Sequence, residues 1–180
     1  MPCLDVGRVA PVACIRNPFH SIVEYMSDNL IGVTVASDHV DVVLLNQTTP
    51  GSFTLKDETT FNLQSGCRAS AYNVLHGQFS DYMRRHQATC VCLKGSAVSL
   101  MGTKLVHLEA AELRGVLKAA VAANGVAIRI LSKAATSRTF GTRKVDAYLK
   151  DDSYWAGLGL SSLKKGMREA AFLVVAEYST

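Results

Sequence analysis

Proline is scarce in this 180-residue chain, with four in all, and glycine at thirteen is unremarkable. Collagen-like and Pro/Gly-rich low-complexity sequence are thereby excluded. Charged residues make up 19% against 48% hydrophobic, which excludes a chain too polar to bury a core. No window reaches the roughly 18 consecutive apolar residues of a membrane span, and the opening MPCLDVGRVAPVACIRNPFH lacks a basic segment followed by an unbroken apolar one. The expectation is a soluble, cytoplasmic protein with no membrane partner.

The five cysteines (Cys3, Cys14, Cys67, Cys90, Cys92) are odd in number and scattered, so no disulfide framework is implied and a reducing compartment fits best. Cys90 and Cys92 alternate on an apolar strand and share a face, but no second Cys/His pair completes a tetrahedral metal site. Buried structural thiols are expected. The five histidines form no HxH or HExxH pair, which leaves them as ordinary surface or capping groups. The stretch KGSAVSLMGTK lacks the GxxxxGK[ST] spacing of a phosphate loop, since Thr103 separates Gly102 from Lys104. Neither GxGxxG after a strand nor a GxSxG elbow occurs.

What is present is an asymmetry of charge. Residues 1–90 hold six Lys/Arg against eight Asp/Glu and residues 91–180 hold thirteen against seven, so the net +4 divides into −2 and +6. An anionic partner is to be sought at the C-terminal half.

Residues 1–26 read as an N-terminal extension, and 27–180 as a single domain. Leu30–Ala36 and His39–Asn46 are strand-like around a Ser37-Asp38 break and predict a hairpin; GSFTLKDETTFNL then supplies a third strand, or a third and a ragged fourth. Helical spacing of Ala71, Val74, Leu75, Phe79 and Met83 predicts a helix over 67–86. ATCVCL follows as a buried strand, a long helix from about Thr103 to Ala123 stops at Asn124-Gly125, and Val126–Leu131 reads as another buried strand. From Ser132 to Gly159 the chain turns polar and basic, with one short helix near Thr142–Asp151. A last helix, capped by Ser161 or Ser162, runs through Glu177, and its AAFLVVA half is apolar on nearly every side, which implies packing on more than one surface.

LIGVTVASDHVDVVLL, CVCLKG, KLVHLEAAELRGVLKAAVAANGVAIRIL and EAAFLVVA, taken in that order, resemble the RNase H-like superfamily, and within it RuvC-type resolvases and small bacterial domains of that lineage. The resemblance implies an α/β fold: a mixed sheet whose first strands are antiparallel and whose later strands are parallel, with helices on both faces. It also implies a chemistry. Active members cluster carboxylates from the first strand, the strand before the long helix and the closing helix, and these hold two divalent ions about 4 Å apart. Here the first position falls at Thr34 and the second near Leu93-Lys94; Glu169 alone is an acid in place. No metal ligands can be named from this, and Mg²⁺ or Mn²⁺ is implied only if an acidic site is intact.

Other acids could substitute. Asp38 lies in the first hairpin turn, and Glu109 falls about 40° from Leu113 inside the apolar stripe of the long helix. A carboxylate facing a core must be paired or neutralised. Two readings of Glu109 stand, a bond to a neighbouring Arg or loop amides and a role in a cleft. The clearest positive feature is SKAATSRTFGTRK with its flanks, where Arg129, Lys133, Arg138, Arg143 and Lys144 interleave with hydroxyls and Phe140; Lys164, Lys165 and Arg168 could extend that surface. Such cations hold phosphate, and Phe140 could stack on an unpaired base. The expected function is binding of structured DNA or RNA with weak or no nuclease activity. A non-catalytic adaptor or homodimerisation module, using the apolar closing helix and the extension, is the alternative. A third reading, a divalent-metal nuclease with rearranged ligands, requires Asp38, Glu109 and Glu169 to converge.

Overall fold

A computed structural model describes residues 27–96 and 104–179, with the side chains of Ala135, Arg138 and Thr139 excepted. The N-terminal extension and most of KGSAVSLMGTK lie outside the described residues. The chain opens with strands β1 (Asp28–Val35), β2 (His39–Thr49) and β3 (Ser52–Asn62), followed by α1 (Arg68–Arg85), β4 (Cys90–Lys94), α2 (Leu105–Ala123) and β5 (Ala127–Leu131). Three short helices come next, α3 (Lys133–Thr139), α4 (Val145–Lys150) and α5 (Asp152–Gly157), and a 3₁₀ turn at Lys165–Met167 leads into α6 (Arg168–Tyr178).

The strands form one sheet in the order β3-β2-β1-β4-β5, with β1–β2 and β2–β3 antiparallel and β1–β4 and β4–β5 parallel. Alternation along the central strands sorts the apolar residues to two faces. Ile31, Val33, Val42, Val91 and Leu93 join Leu75, Phe79, Leu113 and Leu117 of α1 and α2 in one core. Leu30, Val43, Leu45, Cys90 and Cys92 join Trp155 and α6 in the other. This is the mixed α/β sheet with helices on both faces, and the two cysteines are buried and free, as their alternation predicts.

The closing helix owes its position to one residue. A Cβ on Gly32 would stand 2.0 Å from the carbonyl oxygen of Ala170, so only glycine lets α6 lie this close over β1. All of Ala170–Val175 is buried, and Phe172, Leu173, Val174 and Val175 together contribute roughly 6–12 kcal/mol of gross transfer free energy.

Three expectations need correction. β5 is not a buried strand: Ile128 is 36% and Ile130 54% exposed, because the sheet ends there and α2 covers little of it. Of the two readings of GSFTLKDETTFNL, the single third strand is the one seen, its pairing with β2 shifting register at Leu44/Leu45 and Gln47/Thr49. Residues 133–157 hold three short helices where one was expected. Finally, α6 begins at Arg168 after the 3₁₀ turn and not at a Ser161 or Ser162 cap.

Candidate functional site

The carboxyl ends of the parallel strands are where crevices open in sheets of this kind. β1 and β4 run side by side with Val33 opposite Leu93, which sets Thr34 beside Lys94 at that end. The close approach of α6 over Gly32 then brings Glu169 across them. Lys94 Nζ donates to Glu169 Oε2 at 2.8 Å, with side-chain exposures of 34% and 29%.

The network continues onto the short helices. Lys133 Nζ donates to Asp146 Oδ1 at 2.6 Å, and this bond holds the Asp146 carboxyl below its ordinary value; Lys150 and Lys94 act on it in the same direction from further off. Lys94, Lys133, Asp146 and Glu169 thus form two ammonium and two carboxylate groups whose charges cancel. A narrow crevice lined by Lys94, Lys133, Val145, Glu169 and Phe172 meets, at the buried Thr136, a wider cavity of about 320 Å³ beside Ser96, Ser132 and Glu177.

This donor set does not fit a pair of divalent ions. Divalent magnesium or manganese requires several anionic oxygens, whereas the site offers a hydroxyl at Thr34, an ammonium at Lys94 and two carboxylates, Glu169 and Asp146, each already paired with a lysine. Among the described residues no group of three or more His, Cys, Asp or Glu could hold a metal ion.

The remaining acids lie elsewhere. Asp38 sits in the β1–β2 turn, where its Oδ1 pairs with His39 Nδ1 at 2.7 Å. Glu109 lies on α2, across the sheet from Glu169, and pairs with Arg68 Nη1 at 3.4 Å. Arg68 is held in turn by the Ser37 carbonyl and the Tyr72 hydroxyl, and that hydroxyl donates to Glu112 at 2.6 Å. Of the two readings of Glu109, the bond to a neighbouring Arg is the one seen. Asp38, Glu109 and Glu169 are not brought together.

The basic surface is mostly cross-braced by acids. Arg143 Nη1 pairs with Asp151 at 2.7 Å and stacks over Tyr148 at 4.3 Å; Lys164 pairs with Glu58 at 2.9 Å, Lys165 with Asp152 at 3.3 Å and Arg129 with Glu177 at 3.5 Å. Arg168 is buried: it pairs with Asp152 at 2.6 Å, donates to the Leu149 carbonyl and lies over Trp155, so it braces the helices and cannot reach an external phosphate. Lys144 and Lys150 are exposed without an ion-pair partner among the described residues. The side chain of Arg138 lies outside the described residues. Phe140 is not free to stack on a base, because its ring packs edge-on against Phe172 at 5.0 Å and Tyr148 at 5.3 Å.

Sequence reasoning missed Lys94 and Asp146 as partners of the site. The signal for Lys94 was available, since Cys90, Cys92 and Lys94 alternate onto the face that α6 covers. Asp146 carried none, because its position depends on how α3 and α4 pack.

No protein-family model and no curated protein matches the sequence. Solved structures do. RuvC of T. thermophilus in complex with a Holliday junction substrate aligns with a TM-score of 0.63 and 10% identity over 83% of this chain and 91% of that one. A second T. thermophilus RuvC structure aligns with a TM-score of 0.64 and 11% identity, over 82% of this chain and 91% of that one. The yeast mitochondrial Holliday junction resolvase Ydc2 aligns with a TM-score of 0.57 and 12% identity, over 86% of this chain and 79% of that one. With the strand order and the returning α6, these likenesses show that the chain has the RuvC-type RNase H-like fold.

Proposed function

We propose that this protein binds structured nucleic acid and cleaves it weakly or not at all. The observation that carries the second half is the Lys94–Glu169 contact: an ammonium held at 2.8 Å occupies the carboxylate that would have to take a metal ion. The first half is supported by the fold shared with a junction-bound RuvC and by the cations around the same end of the sheet. Lys133, Arg138, Arg143, Lys144, Lys164 and Lys165 are the residues assigned to phosphate, with Lys144 first because no acid among the described residues pairs with it. The paired lysines contribute less, since each must exchange a resident carboxylate for a phosphate.

A gel-shift and cleavage assay on four-way junction, duplex and single-stranded substrates, with Mg²⁺ or Mn²⁺, tests both halves. Binding through about four phosphates should weaken on the order of 10²-fold between 50 and 200 mM salt. Absence of binding at about 50 mM salt removes the binding half. Metal-dependent cleavage that Glu169→Gln abolishes removes the non-catalytic half.

A further inference from the structure

Cys90 and Cys92 are nucleophilic groups that the site at the carboxyl end of the sheet leaves unused. They alternate on β4, so both project onto the face that α6 covers, and they are 4% and 0% exposed. The Cys92 thiol donates to the Cys90 sulfur, and the Tyr178 hydroxyl at the end of α6 donates to it as well, which together hold the Cys90 thiol below its ordinary value. Gln47 fixes that end of the helix through a 3.0 Å bond to the Tyr178 carbonyl. Arg129 stands opposite Cys92 on β5 and favours the thiolate form of both residues; Glu177, its partner at 3.5 Å, acts against it.

Two thiols aligned in this way suit a metal ion better than a disulfide. Residues two apart on a strand have Cα atoms about 6.6 Å apart. That is the upper edge of what a disulfide spans, and side chains running parallel do not bring their Cβ atoms to the ~3.8 Å that it needs. Two metal–thiolate bonds of about 2.3 Å laid end to end reach about 4.6 Å, which parallel side chains meet without moving the strand. The number of ligands then selects the ion. Zinc takes four ligands and magnesium takes hard oxygens, whereas these sulfurs belong, among the described residues, to no larger group of metal ligands. A pair of buried thiolates matches a soft cation of low coordination number. The guanidinium beside Cys92 offsets the negative charge such a complex carries. Ala127, exposed on the sheet edge opposite Cys90, leaves the approach to that sulfur bounded by a side chain of one carbon.

We propose that Cys90 and Cys92 form a two-coordinate site for a soft monovalent cation, Cu(I) in chemical class. Each ion bound displaces the two thiol protons, and no electron is transferred. This assignment goes beyond the nucleic-acid reading and is independent of it, and it makes Arg129 the counter-cation of the site.

Anaerobic titration of the full chain with Cu(I), in competition with the chelator bathocuproine disulfonate, tests it. The other thiols are first replaced (Cys3→Ser, Cys14→Ser, Cys67→Ser), and this protein should retain one ion per chain, with a sulfur-to-copper absorption band in the ultraviolet and a raised Tm. Adding Cys90→Ser or Cys92→Ser should weaken binding about 100-fold or more, and adding Arg129→Gln about 10-fold. X-ray absorption on the loaded three-serine protein should find two sulfur ligands, a measurement that needs neither ligand variant to fold. No ion retained against the chelator, a Tm that falls because the ion takes the unfolded chain, a third or fourth ligand, or a folded Cys92→Ser variant that binds as tightly would each overturn the proposal.

Discussion

Replacing Lys94 by glutamate inverts the charge that faces Glu169 and leaves the surrounding fold untouched. At 2.8 Å the native attraction is about 1.5 kcal/mol in bulk water and about 6 kcal/mol at an effective dielectric of about 20. Exposures of 34% and 29% place the pair nearer the first limit, and the cost of ordering two side chains lowers the net to about 1 kcal/mol. Lys94→Glu loses that and adds a like-charge contact of similar size, about 2–3 kcal/mol in all. For a domain of this length, differential scanning fluorimetry should show Tm falling by about 5–10 °C. Adding Thr34→Asp puts a third carboxylate beside the first two, and the double variant should then take up a divalent ion. At 10 mM Mg²⁺ and a Kd of about 1 mM, binding returns about 1.4 kcal/mol, or a recovery of about 3–6 °C that NaCl of equal ionic strength does not reproduce. The wild type should show no such recovery. An equal Mg²⁺-dependent shift in the wild type, or a Lys94→Glu variant as stable as the wild type, would refute the idea that this ammonium neutralises the site.

Three further outcomes follow from the same geometry. Gly32→Ala drives a Cβ into the Ala170 carbonyl and should cost about 3 kcal/mol or more in urea unfolding, with α6 the first element to lose amide protection. The carboxyls of Asp146, Asp151 and Asp152 are held below 3.8 by Lys133, Arg143 and Arg168, so the stability they contribute is complete above the unfolded carboxylate value. It is lost only as pH falls through the depressed folded values, and circular-dichroism melts should stay level down to about pH 4 and drop below it; a decline starting near pH 6 would contradict this sign. Cys67 is exposed ahead of α1, and the Ser70 and Ala69 amides and the Ser70 hydroxyl draw its thiol below the ordinary value, whereas Cys90 and Cys92 are buried. Iodoacetamide near neutral pH should modify Cys67 well before Cys90 or Cys92, as peptide mapping would show.

The elements readable from the sequence are those whose pattern is local. Ala71, Leu75, Phe79 and Met83 repeat at helical spacing, and each is buried in α1. The strand pair around Ser37-Asp38 shows itself in two continuous apolar, β-branched runs, which the fold buries on both faces. The apolar AAFLVVA of α6 announced that both sides would be packed, and they are. β5 shows where such reading stops: AIRIL has the composition of a buried strand, and only the order of the sheet, decided by every other element, makes it an edge. The short helices between Lys133 and Gly157 are pinned by an aromatic cluster of Phe140, Tyr148, Tyr154, Trp155 and Phe172, not by any period of their own, and seven residues or fewer are too few to display one. The candidate site was legible in one respect: Glu169 stands without the other two acids. That Lys94 would fill the gap required knowing that α6 crosses β1 and β4 at Gly32.

The basic half of the chain illustrates why net charge and available charge differ. An excess of +6 over residues 91–180 suggests an open cationic surface, yet Arg129, Lys133, Arg143, Lys164, Lys165 and Arg168 each face an acid within 4 Å. Apart from the buried Arg168, these are exposed pairs, which contribute little to stability individually and can exchange partners at low cost. An arriving phosphate that takes Arg143 or Lys165 must release Asp151 or Asp152 into water beside a polyanion, and that repulsion subtracts from the gain. The expectation is a shallow binding energy per cation with a marked dependence on salt. Asp151→Asn separates this from a simple count of positive charge. It removes the internal competitor of Arg143 and should tighten binding about two- to fivefold at low salt, the order of one exposed ion pair. An isotherm that Asp151→Asn leaves unchanged, while Lys144→Ala still weakens it, would show that Arg143 never leaves its carboxylate and that phosphate contact is confined to the unpaired lysines.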